Sequence, residues 1–119
     1  MRAEQIRERL LTCGIPCDES LAEKLSIYMS LLTEWNTRMD LTAVTEEEET
    51  LDRHFKDSLL PVAISGLIPV DGSAIDVGTG AGFPGLPLAM AMPSLRVTLL
   101  DSQVTVHLAP GGGCVLVLE

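Results

Sequence analysis

Along roughly the first sixty positions apolar residues recur at helical spacing; beyond them the chain changes to short apolar runs punctuated by glycine and proline. Ile6, Leu10 and Cys13 form one face of a first helix, near Ala3 to Cys13. Gly14-Ile15-Pro16 stops it, since glycine supplies a C-cap and proline cannot continue a helix. Ser20-Leu21-Ala22-Glu23 reads as a capping box opening the longest helix. Its stripe of Leu21, Leu25, Tyr28, Leu32, Trp35 and Met39, spaced alternately four and three, faces a core or a neighbouring helix. Thr45-Glu46-Glu47-Glu48 repeats the capping logic and begins a third helix, which runs to about Leu60 before Pro61. The acidic start, Glu46 to Glu49, suits the positive end of that helix as a solvated face.

After a loop from Pro69 to Ser73 come a strand ending near Asp76, a glycine-rich turn, a helix from Pro84 to about Met92, and a strand, Leu95 to Leu100, ending at Asp101. Strand, crossover helix, strand is the unit of a parallel sheet. The fold class is therefore α/β, with residues 1–70 a helical extension and residues 71–102 the start of a sheet domain.

At 119 residues the chain is long enough for one small domain. Aromatics are 3% of the sequence, so its core is aliphatic. No apolar run approaches the roughly 18 residues of a membrane span, and the charged, helical N-terminus is not a signal peptide. These features place the chain in the cytoplasm. Cys13, Cys17 and Cys114 match no zinc or redox spacing and read as free buried thiols. A net charge of −9 argues against binding nucleic acid by charge alone.

Ile75 to Gly85, reading Ile-Asp-Val-Gly-Thr-Gly-Ala-Gly-Phe-Pro-Gly, carries the strongest chemical signal. Glycines at 78, 80 and 82 let the backbone turn sharply and come close to a ligand. Two registers compete. Gly80, Gly82 and Gly85 match the G-x-G-x-x-G of dinucleotide binding, with Asp101 at the distance of a ribose-binding acid, but leave Asp76, Gly78 and Thr79 inside the strand. The register starting at Gly78 gives, with Asp76 before it, Asp-x-Gly-x-Gly-x-Gly, which resembles the first motif of S-adenosylmethionine (AdoMet) methyltransferases. A carboxylate at Asp101 can accept hydrogen bonds from both hydroxyls of a ribose. A ligand-free glycine turn is the plainest alternative.

Two smaller clusters are noted. Asn36, Asp40 and Thr42 could cap and turn the backbone as the long helix ends. His54 and Asp57 share a helix face, either as an acid–base pair or, the favoured reading, as a buried clasp tying the helices to the sheet.

Taken in order, Trp35-Asn36, Asp40-Leu41-Thr42, Arg53-His54-Phe55-Lys56-Asp57-Ser58, Asp76 through Gly85, and Leu99-Leu100-Asp101-Ser102 resemble one family. It is the bacterial small-subunit ribosomal RNA methyltransferase G family, also called glucose-inhibited division protein B. The resemblance implies a Rossmann-like AdoMet-dependent fold with an N-terminal helical extension. It implies methyl transfer to N7 of a guanine in 16S ribosomal RNA, with that RNA or the small ribosomal subunit as partner and neither DNA nor membrane. Carried over by motif, Gly78 and Phe83 contact the cofactor, Gly80 and Gly82 shape the loop, Asp76 opens the motif and Asp101 holds the ribose. No catalytic residue and no metal ligand are implied, because guanine N7 has an exposed lone pair and the cofactor carries the hard step.

After Ser102 the resemblance stops. Gln103 to Glu119 holds two aliphatic runs around Pro110-Gly111-Gly112-Gly113, which suggests an apolar hairpin or a disordered end. A form of the enzyme truncated after the second strand is the preferred reading, over a natural short variant. Two strands leave an open sheet edge unless this tail covers it. A non-catalytic interaction module and a dinucleotide-dependent oxidoreductase domain are the competing functions. If no side chain is an obligatory nucleophile or base, His54→Ala should lower methyl transfer only partially. Total loss with AdoMet binding intact, measured by labelled methyl incorporation, would contradict that.

Overall fold

The computed structural model describes residues 1–38, 47–64, 66–80, 82–102, 104–110 and 114–118, with the backbone alone for 35–38, 104 and 114–118. Asp40, Leu41, Thr42, Thr45 and Glu46, singled out above, lie outside the described residues, as does Met39 of the helical stripe.

Helix α1 spans Ala3–Thr12 and α2 spans Glu19–Arg38. Gly14 ends α1 as its sequence requires. With φ +78 it lets Ile15 N–H reach Leu10 C=O and its own N–H reach Leu11 C=O, the paired bonds that satisfy a helix's last carbonyls. Cys13 sits at that C-cap and is exposed rather than buried, because the chain leaves the helix there; Cys17 is buried, and both thiols are free. The cap of α2 is Asp18, not Ser20. Its Oδ1 accepts the Leu21 N–H at 2.8 Å, so the helix begins two residues earlier than the capping-box reading put it.

The third helical stretch is continuous through Pro61. A π-helical segment, Thr50–Phe55, runs directly into α3, Lys56–Ala63. Leu51, Phe55 and Leu59 are each 0% exposed at a strict spacing of four. Four residues overshoot a 3.6-residue α-turn, and the wider π-turn corrects that drift so that all three face inward. Pro61 falls close to the end of α3, where its missing N–H removes only a bond near the last turn. The acidic run at its start is partly paired with the N-terminal segment: Glu47 takes the Met1 ammonium at 2.7 Å, and Glu48 takes the guanidinium of Arg9 on α1.

Four strands form one sheet in the order β1 (Ser73–Val77), β2 (Arg96–Leu100), β3 (Val104–Leu108), β4 (Cys114–Leu118). β1 and β2 are parallel, Ser73 opposite Arg96 and Val77 opposite Leu100, and α4 (Gly85–Ala91) crosses between them. β3 pairs antiparallel with β4, Val104 opposite Leu118 and Leu108 opposite Cys114. β3 runs antiparallel to β2 and covers that strand's far edge, so the sheet continues past its second strand.

Two clusters of buried side chains result. One joins the helices through Ile6, Leu10, Leu25, Met29, Phe55 and Leu59. The other lies between sheet and α4, through Leu95, Val97 and Leu99. Leu86 of α4 packs against both. Among the described residues no helix is long and apolar enough to cross a membrane.

Asp18→Ala is expected to lower unfolding free energy by about 1 kcal/mol, as for other lost N-caps, while Ser20→Ala stays within about 0.5 kcal/mol of wild type. Urea denaturation of the two variants checks this.

Candidate functional site

β1 and β2 point the same way, so their carboxyl ends meet at one edge of the sheet. That is where open α/β sheets bind ligands. The chain fills the edge with the glycine turn, and the turn is held to both strands. Gly78 N–H and Thr79 N–H donate to Leu100 C=O at 2.7 and 3.2 Å, tying the turn to the end of β2. Asp76, near the end of β1, braces it from the other side. Its Oδ2 accepts the Thr79 hydroxyl at 2.7 Å and the Gly85 N–H at 3.0 Å. One carboxylate oxygen therefore joins strand, turn and the first residue of α4.

The four glycines of the motif divide into two kinds. Gly82 and Gly85 are packed. A Cβ on Gly82 would collide with Leu86 and come within 2.8 Å of the Tyr28 hydroxyl, at a φ of +105 that side chains rarely adopt. A Cβ on Gly85 would collide with Leu99, so glycine there lets α4 lie close on β2. Gly78 and Gly80 have no atom within 4 Å of that position and face open space. Asp101 closes the same side: its Oδ2 accepts the Gly80 N–H at 3.0 Å and its Oδ1 the Ser102 N–H at 2.7 Å. Gly78, Gly80 and Asp101 are thus brought together on the open side, whereas Asp76 and Gly82 serve the turn's own packing.

Phe83 points the other way, into the helical layer. Its ring lies 5.4 Å from that of Tyr28, 4.7 Å from His54 and 5.8 Å from Phe55. This cluster was not foreseen; Tyr28 read only as one position of a helical stripe. The expected clasp between His54 and Asp57 is not formed as a buried pair. Both residues are exposed, and His54 instead stacks on Phe83, joining helix to loop by ring contact. Asn36 lies on α2 with its side chain outside the described atoms. Among the described residues no group of three or more His, Cys, Asp or Glu could hold a metal ion.

Burial pushes the Tyr28 hydroxyl well above the ordinary tyrosine value, and the nearby Asp76 carboxylate adds to the shift.

The family described as rRNA small subunit methyltransferase G (GidB) matches residues 21–105. A protein of Alkaliphilus metalliredigens named ribosomal RNA small subunit methyltransferase G is 49% identical over 89 residues, 75% of this chain and 37% of its own length. A protein of the same name from a Thermoanaerobacter species is 48% identical over 100 residues, covering 84% of this chain and 41% of the relative. One from Streptococcus pneumoniae is 40% identical over 103 residues, 86% of this chain and 43% of the relative. The chain thus spans about two-fifths of the length of these curated relatives.

The chain has a single tyrosine, so its ionisation can be followed directly. The folded pKa is raised, so the stability that comes from a protonated hydroxyl is complete below the unfolded value of about 10 and is lost as pH rises from there. Tyrosinate absorbance should appear only together with unfolding, and Tyr28→Phe should flatten the decline in stability above about pH 10.

Proposed function

The chain belongs to the GidB family, described as rRNA small subunit methyltransferase G, and on that premise we propose that it is the AdoMet-binding start of a methyltransferase acting on N7 of a guanine in 16S ribosomal RNA. In this reading residues 1–70 are a helical extension, residues 71–102 begin a Rossmann-like domain, and residues 103–119 are an atypical tail whose strands extend the same sheet. The protein works in the cytoplasm, on the RNA or the small ribosomal subunit, and not on DNA or at a membrane.

The observation that carries the reading is the open side of the glycine turn. Gly78 and Gly80 leave the backbone bare where the carboxyl ends of two parallel strands meet, with Asp101 at the end of the second. Those features fit a nucleoside with a free ribose edge. Asp101 accepts hydrogen bonds from the two ribose hydroxyls, releasing or sharing its bond to Gly80 N–H. Gly78 and Gly80 allow close approach of the cofactor's amino-acid end. Phe83 supports the loop from behind through the aromatic stack, while Asp76 holds its curvature. Bound AdoMet supplies a methyl group already electrophilic on a sulfonium. The protein's part is then to hold that methyl in line with guanine N7, and positioning of this kind supplies several kcal/mol. N7 has no proton to remove, so no residue needs to act as base.

A net charge of −9 favours a second reading, a module that binds AdoMet without acting on RNA. The two readings share a cofactor site and differ in turnover.

Calorimetric titration with AdoMet should give saturable binding that Gly78→Asp abolishes, since the new carboxylate would occupy the open side. NAD should neither bind nor raise the melting temperature. Methyl transfer to undermethylated 30S subunits would support the enzyme, and binding without transfer the binding-only fragment. A folded chain that binds no AdoMet would overturn both.

A further inference from the structure

The ring of Tyr28 and its hydroxyl have separate tasks. The ring packs against Phe55 and Phe83, with centroids 5.7 and 5.4 Å away. A phenylalanine would make the same contacts, so the stack does not account for the oxygen. That oxygen is carried on a residue only 7% exposed, and a buried hydroxyl costs free energy unless polar groups surround it. α2 sends it into the glycine turn. The Tyr28 Oη lies 2.8 Å from the place a Cβ of residue 82 would occupy, so the bare backbone of Gly82 leaves the space it fills.

The turn's own hydrogen bonds converge on the same place. Gly82 N–H donates to Thr79 C=O at 2.9 Å, and Gly82 C=O accepts the Leu86 N–H at 2.7 Å. Ile75 and Val77 turn outward and stand 68% and 74% exposed. Strand alternation therefore directs Asp76, between them, inward to the Thr79 hydroxyl and the Gly85 N–H. Both of those bonds fall on Oδ2, and a carboxylate has acceptor sites beyond two. The field of the Asp76 charge reaches the Tyr28 hydroxyl. We propose that the Tyr28 hydroxyl is a positioning group of the cofactor site: lodged against Gly82, it steadies the inner side of the turn and the Asp76 carboxylate, and so keeps Gly78 and Gly80 in the open arrangement that admits AdoMet. The helical layer thereby sets, through one oxygen, the affinity of a site it does not line. The inference rests on the reading of this turn as an AdoMet site.

The test compares three chains: the wild type, Tyr28→Phe, which keeps the ring and loses the oxygen, and Phe55→Leu, which loosens the same stack and keeps the oxygen. In calorimetric titration with AdoMet, Tyr28→Phe is expected to bind about tenfold more weakly than the wild type, the scale of one lost polar contact near a charge. Phe55→Leu is expected to melt earlier and to bind as the wild type does. Equal affinity in the wild type and Tyr28→Phe overturns the proposal. So does a similar loss in both variants, because a purely structural ring contact would produce it. Amide exchange reads the turn without cofactor: in Tyr28→Phe the Gly82 and Gly85 amides should exchange faster than the change in global stability explains. A wild-type chain that binds no AdoMet defeats the cofactor reading, and the turn's exchange then decides the positioning role by itself. Should Tyr28→Phe fail to fold, the wild type carrying 3-fluorotyrosine gives a second reading, since the chain has one tyrosine. Its fluorine resonance is expected to move on saturation with AdoMet; a resonance that stays in place overturns the coupling.

Discussion

Everything in this molecule depends on how Phe83 is held. The chain has four residues among Phe, Trp and Tyr, and three of them, Tyr28, Phe55 and Phe83, meet in one cluster. Phe83 belongs to the glycine turn, Tyr28 to α2 and Phe55 to the π-helical segment, so one stack joins loop to helices. Aromatic pairs at such separations contribute about 0.5–1.5 kcal/mol each beyond the area they bury. The helical layer therefore does more than precede the sheet: it fixes one wall of the turn. Leu86 completes the junction by packing against both cores.

With Phe83 anchored behind, the turn is left with an inner and an outer side. Asp76 and the packed glycines, Gly82 and Gly85, serve the inner side, where strand, turn and α4 come close together. Gly78, Gly80 and Asp101 serve the outer side, which remains open. Residues that look equivalent in a glycine-rich motif thus do different physical work. Two relieve crowding, and two keep a surface bare. The motif's glycines thus meet two requirements: at Gly82 and Gly85 a Cβ would collide, and Gly78 and Gly80 hold φ of +71 and +55, which side chains rarely adopt.

Much of this was legible from the residues. The end of α1 at Gly14 follows from glycine's tolerance of positive φ, and the parallel pairing of β1 with β2 follows from the strand–helix–strand order. Other features were not legible. Asp18 displaced Ser20 as a cap because either side chain can bond the first turn, and only the path of the preceding chain decides between them. The π-helical segment was hidden because its buried residues repeat every four, a spacing an α-helix nearly satisfies. His54 stacks on Phe83 instead of pairing with Asp57, since its partner comes from a loop far along the chain.

The sequence by itself determined the local elements, the glycine turn and the family, because each rests on neighbours in the chain or on residue types at short spacing. Only the tertiary structure decided which glycines are packed and which are open, which partner His54 takes and which face of β1 is bare. Those outcomes depend on what other segments occupy the surrounding space, and side-chain volume and ring contact act between residues that the sequence keeps far apart.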